Sequence, residues 1–554
     1  MEPRDDVCNE PGRGGGLSAM EAETETETTP LLRHIEPVPE PDLEPVKSHN
    51  DYNNADGNGY DEDSNGGSWY SELALLARYS VPLIATYLLQ YSHSVITTFV
   101  AGHLGADALA AASIGMTTMN IVGYATVEGM ATALDTLCAQ AYGSGHLRGV
   151  GAHVQRMLVL MAVTIVPIAA VWAVSPRLLS LFLSSDSHST HEDGDQAAGD
   201  LAASAGAFLR WSIVGLPGYA AFEALKRFLQ AQGAFRPAVA ILVLCAPANA
   251  LLSWLLAFRW GMGLEGAALG AALTNDLRPL LLLLYLVCFP GGRRALARCW
   301  GGLEPLSSLC PFPLPTREAS SSWRATAAAW AATWGPMVRL SIAGSAVNLG
   351  EWAAFELVAF STSYLSTRHL AAQSVLTTAS IVAWHVPFSI SVAASTRVGH
   401  LVGSGRLPLA RRASLLYGAV FLAVGCADGL VLYVARDALA RFFSDDAVVR
   451  ELAVAAAASV AVFQVVDAVI CGTNGVLRGL GRQDVAACVV FVVNYAAAVP
   501  LAVWLELGSP RWGLDGVWIG VGAGMVLIAV VECVYMKVLR WQDCVDVVKL
   551  REGL

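Results

Sequence analysis

The chain holds 554 residues, of which 55% are hydrophobic and only 15% charged, with a positive mean hydropathy. That balance excludes an ordinary soluble multidomain protein. The formal net charge of −11 belongs to residues 1–68, where 17 Asp or Glu face 4 Lys or Arg; the remainder sits near +2, and nothing in it points to a nucleic-acid partner.

Residues 1–68 read as a disordered acidic cytoplasmic tail, too poor in apolar clusters to fold. Within them "ETTPLL" (Glu27, Leu31, Leu32) has the shape of an acidic dileucine sorting signal. No cleavable signal peptide is visible, so the first membrane helix serves as the insertion signal. A crossing needs about 20 apolar residues, and the chain past residue 72 supplies twelve such segments, with cores at 75–100, 108–135, 157–175, 201–222, 238–258, 265–288, 336–362, 370–395, 413–434, 451–475, 486–505 and 514–538. The fourth and tenth are rich in Ala and carry polar residues, which makes them the weakest of the twelve. The reading is an all-α integral membrane protein.

With the N-terminus taken as cytoplasmic, the loops on that side carry Arg148, Arg156, Lys226, Arg227, Arg236, Arg293, Arg294, Arg298, Arg317, Arg324, Arg406, Arg411, Arg412, Arg478 and Arg482, while the opposite loop 184–196 is acidic. This bias puts both termini inside. The basic residues then act as topology determinants, and no basic residue is expected at mid-membrane depth. Eleven cysteines without paired metal-ligand spacing predict neither a zinc site nor a disulfide framework.

Words recur along the chain at a nearly constant offset. "LAAAS" (109–113) returns as "LAAQS" (370–374), "AYGSG" (141–145) as "LVGSG" (401–405), "GLEGAALG" (263–270) as "GLDGVWIG" (513–520), and Pro82 as Pro336. The order of these matches predicts a duplicated six-helix unit, 73–290 and 335–540, joined by a cytoplasmic linker 291–334 and followed by a short tail 541–554. An even number of crossings gives both copies one orientation, with a seam between two lobes, the layout of a secondary transporter.

Ionisable groups at membrane depth cost on the order of 2.5–3.5 kcal/mol even on insertion scales, which makes them functional candidates. In the second half these are Glu351 and Glu356 on the seventh helix and Asp467 on the tenth. In the first half they are Glu128 and Asp135 on the second helix and Asp276 on the sixth, with Glu128 ranked below Asp135; Glu223 and Asp135 lie close enough to a helix end for snorkelling to account for them. Five residues separate Glu351 from Glu356, or about 140° around the helix, so the two do not form one clamp. One is expected to face the cavity and the other a neighbour where Asp467 completes a network. A carboxyl group held there exchanges a proton or attracts an organic cation, and the two compete. Trp352, Phe355 and Trp384 supply aromatic faces for such a cation, with Gln90 and Asn120 as polar cavity residues. His385 is a secondary candidate, although it and His93 read as hydrogen-bonded core histidines, and Pro82 and Pro387 as helix bends.

"GEWAAFELVAF" (350–360), "VPFSISVAASTRVGHLVGSG" (386–405) and "NGVLRGLGRQ" (474–483) closely resemble motifs of the eukaryotic multidrug and toxic compound extrusion (MATE) family, as do "AGHLGADALAAAS" (101–113) and "GMATALDTLCAQAYGSG" (129–145). With "FEALKRFLQAQG" (222–233), the wording looks most like the fungal members, over about residues 75–540. The resemblance implies a two-lobed exporter that exchanges protons for organic cations, drugs or amphipathic metabolites, powered by a proton gradient without a cofactor, and monomeric. It implies coupling and cation binding by Glu351, Glu356 and Asp467, the last standing where relatives often have Glu. Thr377 stands where some animal members have an aromatic. A Na+-coupled carrier, a lipid-precursor flippase and a membrane sensor stay open as alternatives. No HExxH, GxSxG or GxxxxGK[ST] motif suggests an enzyme. The membrane is expected to be vacuolar or plasma.

Overall fold

The computed structural model describes residues 69–185, 192–305, 309, 311 and 323–553. The acidic segment 1–68 with its dileucine pattern, and residues 306–308, 310 and 312–322 of the linker, lie outside them. The described chain is helical throughout, and its first half contains α1 (Trp69–Leu104), α2 (Ala106–Gly143), α3 (Leu147–Ser185), α4 (Glu192–Ser212, the tight turn Ile213–Gly215 and Leu216–Ala231), α5 (Arg236–Arg259) and α6 (Gly263–Cys288). The second half contains α7 (Trp323–Ser363), α8 (Thr367–Gly403), α9 (Leu407–Phe443), α10 (Ala447–Gly479), α11 (Gln483–Leu507) and α12 (Leu514–Val538). Ten of these twelve are long and apolar enough by composition alone to cross a membrane. The exceptions are α4 and α7. Of the two Ala-rich segments singled out in the sequence, α4 therefore keeps its weak signal, whereas α10 is plainly apolar.

Each half ends in a short helix, Pro290–Cys299 after α6 and Trp541–Glu552 after α12. The repeat is visible in backbone detail. After α2 and after α8 the chain turns through a left-handed glycine, Gly145 (φ +85°) and Gly405 (φ +73°), with matching hydrogen bonds: Ser144 N–H to the Gln140 carbonyl (2.9 Å) and Ser404 N–H to the His400 carbonyl (3.0 Å). The two α-ends then pack on each other reciprocally. A Cβ on Gly143 would stand 2.3 Å from the His400 carbonyl oxygen, and one on Gly403 would stand 2.2 Å from the Gln140 carbonyl oxygen. Residues 140 and 143 meet 403 and 400, which is the signature of a two-fold relation inside one chain. Only glycine lets the backbones approach this far.

Apolar packing holds each half. Trp172, Phe208, Phe222 and Phe228 centre the first-half core, and Phe463, Trp518 and Ile528 a second-half core. Because lipid is as apolar as these side chains, close backbone approach and polar contacts must specify how the halves meet.

Candidate functional site

The halves meet at the end where α1 begins and where α2, α4, α8 and α10 finish. Asp135 on α2, 5% exposed, is gripped from both sides: Arg227 Nε of its own half lies 3.1 Å from Oδ1, and Arg478 Nη1 of the other half 3.3 Å from Oδ2. Around this clamp the Thr136 hydroxyl donates to the Arg478 carbonyl (2.5 Å), Gln140 Nε2 to the Gly479 carbonyl (2.8 Å), and Gln483 Nε2 to the Thr132 carbonyl (3.1 Å). On the neighbouring pair, Arg397 of α8 donates twice to Glu72 of α1, at 2.6 and 3.1 Å. Such bidentate, charge-assisted bonds are among the strongest available.

The terminal helix Trp541–Glu552 straps this end. Trp541, Val545 and Val548 are buried in a core that second-half residues share with Leu76, Leu83, Tyr87 and Phe235 of the first, and its last turn also reaches the first half: His146 Nδ1 lies 2.7 Å from the Glu552 carboxylate, and Arg551 Nη2 donates to Gln140 Oε1 at 3.0 Å. Burial alone would raise the Glu552 carboxyl, but hydrogen bonding and charge from His153, with Arg551 and His146, outweigh it and hold it well below the usual carboxylate range.

Behind the clamp lies a second network. Glu223, Lys226 and Arg227 fall on one face of α4, as i, i+3 and i+4 spacing requires, and all three are almost completely buried. Lys226 Nζ and Gln90 Nε2 each donate to Glu223 Oε1 at 2.8 Å, and Arg227 bonds the other carboxylate oxygen. The basic residues at 226, 227 and 478, counted from sequence as loop topology signals, are therefore structural members of the buried network. The fourth segment was expected to end at 222, whereas the helix continues to Ala231 and carries these charges with it.

Farther from the closed end the character changes. Glu128 shares the Asp135 face of α2, being seven residues and about 20° away; it is half-buried and lies near the Glu223, Lys226 and Arg227 charges without a side-chain hydrogen bond among the described residues. Across the seam, Glu351 is half-buried and close enough to Asp467 for the two carboxylates to repel, with Arg478 as the nearest positive charge. Glu532 of α12 joins them, buried, with the Thr473 hydroxyl donating to one oxygen and the other oxygen unpartnered among the described residues. Glu356 is exposed and does not join Asp467. The 140° separation thus puts the two acids in different surroundings, Glu351 among carboxylates and Glu356 exposed.

Other expected residues scatter. Gln90 belongs to the Glu223 network. Asn120 lies, half-buried, in a wide π-turn, Met119–Tyr124, that interrupts α2. Trp384 stacks on Phe388 (4.4 Å between centroids), whose ring meets Tyr87 of the other half at 4.9 Å. Phe355 packs edge-on against Phe463 at 5.9 Å, on the second-half core; Trp352 is half-buried beside Glu351 on the chain. His385 Nδ1 bonds the Ile381 carbonyl (2.7 Å) and its ring meets Tyr91 of the first half at 5.0 Å. Asp276 is half-buried and packs against Gly218, near the start of the second segment of α4. His93 is buried, but its ring nitrogens have no partner among the described residues, so it is not the hydrogen-bonded core histidine expected. The expectation of no basic group at mid-membrane depth fails at Arg278, which is 3% exposed in the middle of α6. Glu532 was missed altogether, although it is the one acid of "VLIAVVECVYM" (526–536), and an acid inside an apolar run was the signal in hand.

A family model described as MatE matches residues 82–255 and 345–504, more than half of the chain and one block in each half. The chain belongs to the MATE family. An uncharacterized transporter of Schizosaccharomyces pombe is 35% identical over 494 residues, covering 89% of this chain and 84% of that protein. Multidrug and toxin extrusion protein 1 of Xenopus tropicalis is 27% identical, covering 86% and 75%. Among solved structures, the crystal structure of the eukaryotic MATE transporter AtDTX14 aligns with a TM-score of 0.75 at 26% identity, covering 87% of this chain and 99% of that one. This MATE chain is therefore a multi-pass integral membrane protein of twelve helices in two lobes, and its family is one of transporters.

Proposed function

We propose that this MATE transporter exports organic cations or amphipathic metabolites in exchange for protons. The observation that carries the reading is the crowding of Glu351, Asp467 and Glu532 in the second lobe, with a single guanidinium nearby. Carboxyl groups this close titrate as a unit and share protons. A cation that settles among them displaces a proton; a proton arriving from the acidic side removes the cation's counter-charge and releases it. No covalent step is required. Glu351 holds the exchangeable proton with Asp467, and the exposed Glu356 attracts the incoming cation. The positions of Trp352 and Trp384 support aromatic contact with a flat cation.

The closed seam supports alternating access. Its hydrogen bonds and ion pairs must break when the lobes rock, and the strap Trp541–Glu552 must leave one lobe. The basic loops support a cytoplasmic location for this end and for both termini. The open end then faces outward or into the vacuole. The transporter works as a monomer, since each lobe supplies its own part of the seam.

The test is dye efflux from proteoliposomes with an imposed opposing proton gradient. Efflux that collapses with a proton ionophore and ignores Na+ supports the reading; efflux that follows Na+ and survives the ionophore overturns the coupling. Imaging a tagged full chain with and without Leu31→Ala and Leu32→Ala distinguishes vacuolar from plasma membrane.

A further inference from the structure

Arg278 is a charge without a counter-charge. Its guanidinium is 3% exposed at the middle of α6, its Nε has no hydrogen-bond partner, and no carboxylate stands in ion-pair contact with it among the described residues. The nearest acids are otherwise engaged. Both Glu223 oxygens are taken by Lys226, Gln90 and Arg227. Asp276 is two residues away on the same helix, hence about 200° around it, and lies against Gly218 of α4 instead. An unpaired buried guanidinium is costly in a bilayer, so the arrangement calls for an anion.

The groups around it can each donate a hydrogen bond to an anion. His93 on α1, 7% exposed, lies within electrostatic range of Arg278 and has both ring nitrogens unpartnered. The Tyr124 hydroxyl accepts from Asn275 Nδ2 at 2.9 Å, which leaves its own proton to donate. Tyr124 is held flat by stacking on Tyr219, centroids 4.2 Å apart, and the guanidinium lies 6.0 Å from the Phe222 ring. Three elements thus present donors, and aromatic walls line them.

We propose that the first lobe holds an anion subsite, formed by Arg278, His93 and Tyr124, that takes the carboxylate of an organic substrate. The planar guanidinium suits a carboxylate bidentately. The subsite rests on the export reading and deepens it: substrates carrying both a cationic and a carboxylate group are recognised by the two lobes together, the cation by the acids of the second and the carboxylate by the first.

The experiment uses the purified full chain and two fluorescent probes with the same cationic ring system, rhodamine 110, which bears a free carboxylate, and rhodamine 123, its methyl ester. Fluorescence polarisation is expected to show the acid bound about tenfold more tightly than the ester, as for a site built around a charged hydrogen bond. Arg278→Gln abolishes that preference, and Arg278→Lys retains part of it. Equal affinities in the wild type, or a preference that Arg278→Gln leaves intact, overturn the subsite while export of cations stands. Binding of neither probe overturns both. The wild-type comparison decides the point even if a variant does not fold.

Discussion

The two lobes share a backbone plan and differ in what they bury. The first lobe holds a nearly neutralised network, Glu223, Lys226, Arg227 and Asp135, in which each carboxylate meets at least two cationic groups or amides. The second holds Glu351, Asp467 and Glu532, where among the described residues Arg478 is the one cation acting on Glu351, and that arginine is already engaged by Asp135. The repeat preserves turns and the reciprocal glycine contacts, because those fix how the lobes meet. Side chains between them have diverged. Where the matched turns at Gly233 and Gly481 superpose the halves, Gln230 of the first lobe stands opposite Arg478 of the second. A paired network rigidifies, whereas an unpaired one can take up protons and cations, so the difference assigns closure to one set of charges and exchange to the other.

The largest effect that breaks this contrast is expected from Glu351→Gln or Asp467→Asn, each reducing proton-driven dye efflux by two orders of magnitude or so, as befits loss of a proton-transfer group. Glu356→Gln is expected to be milder, weakening the concentration dependence for the cation while leaving the dependence on the proton gradient in place; kinetics at two gradients separate the cases. Next is Arg227→Ala, which strips a cation from both Asp135 and Glu223. Breaking a buried pair costs about 3–5 kcal/mol, so the melting temperature should fall sharply, whereas neutralising Glu351 should leave it unchanged or raise it.

The seam offers a matched test. Gly143→Ala and Gly403→Ala each force a Cβ against backbone and should cost closure about 1–3 kcal/mol by overpacking, with similar size at the two related positions. Labelling of an introduced cysteine in the closed end reports this; strongly unequal effects would contradict the two-fold reading. The smallest effect concerns the strap. Because the Glu552 carboxyl is held below its ordinary range, its contribution is present above the ordinary carboxylate pKa and lost only as pH falls through the lowered value. Amide protection factors in Trp541–Glu552, which correct for the intrinsic pH dependence of exchange, should therefore change little between pH 7 and pH 5, and Glu552→Gln should lower them modestly at both.

Much of the fold was legible in the sequence because a bilayer imposes one simple rule, that a crossing segment be apolar. The rule weakens where a helix is shielded from lipid. Thus α4 is Ala-rich and ends in Glu223, Lys226 and Arg227, which read as a loop but are buried in a helix, since a fully paired charge cluster satisfies itself without water. The acids at 351 and 467 were found because an isolated carboxylate in an apolar run stands out, and the separation of Glu351 from Glu356 followed from helical angle. Glu532 and Arg278 carried the same signal without a repeat word or family motif beside them. What no pattern revealed was which half a residue would meet: Asp135 bonds Arg478, 343 residues away, and spacing along the chain says nothing about a contact across the seam.

The most direct measurement of the exchange is proton release on cation binding. Purified protein in weak buffer near pH 7 is titrated with a permanently charged organic cation while a pH indicator is followed. The account predicts release of about one proton per cation bound by the wild type, from groups that titrate as a unit, and loss of that release in Glu351→Gln. Saturable cation binding with no proton released by the wild type would contradict it.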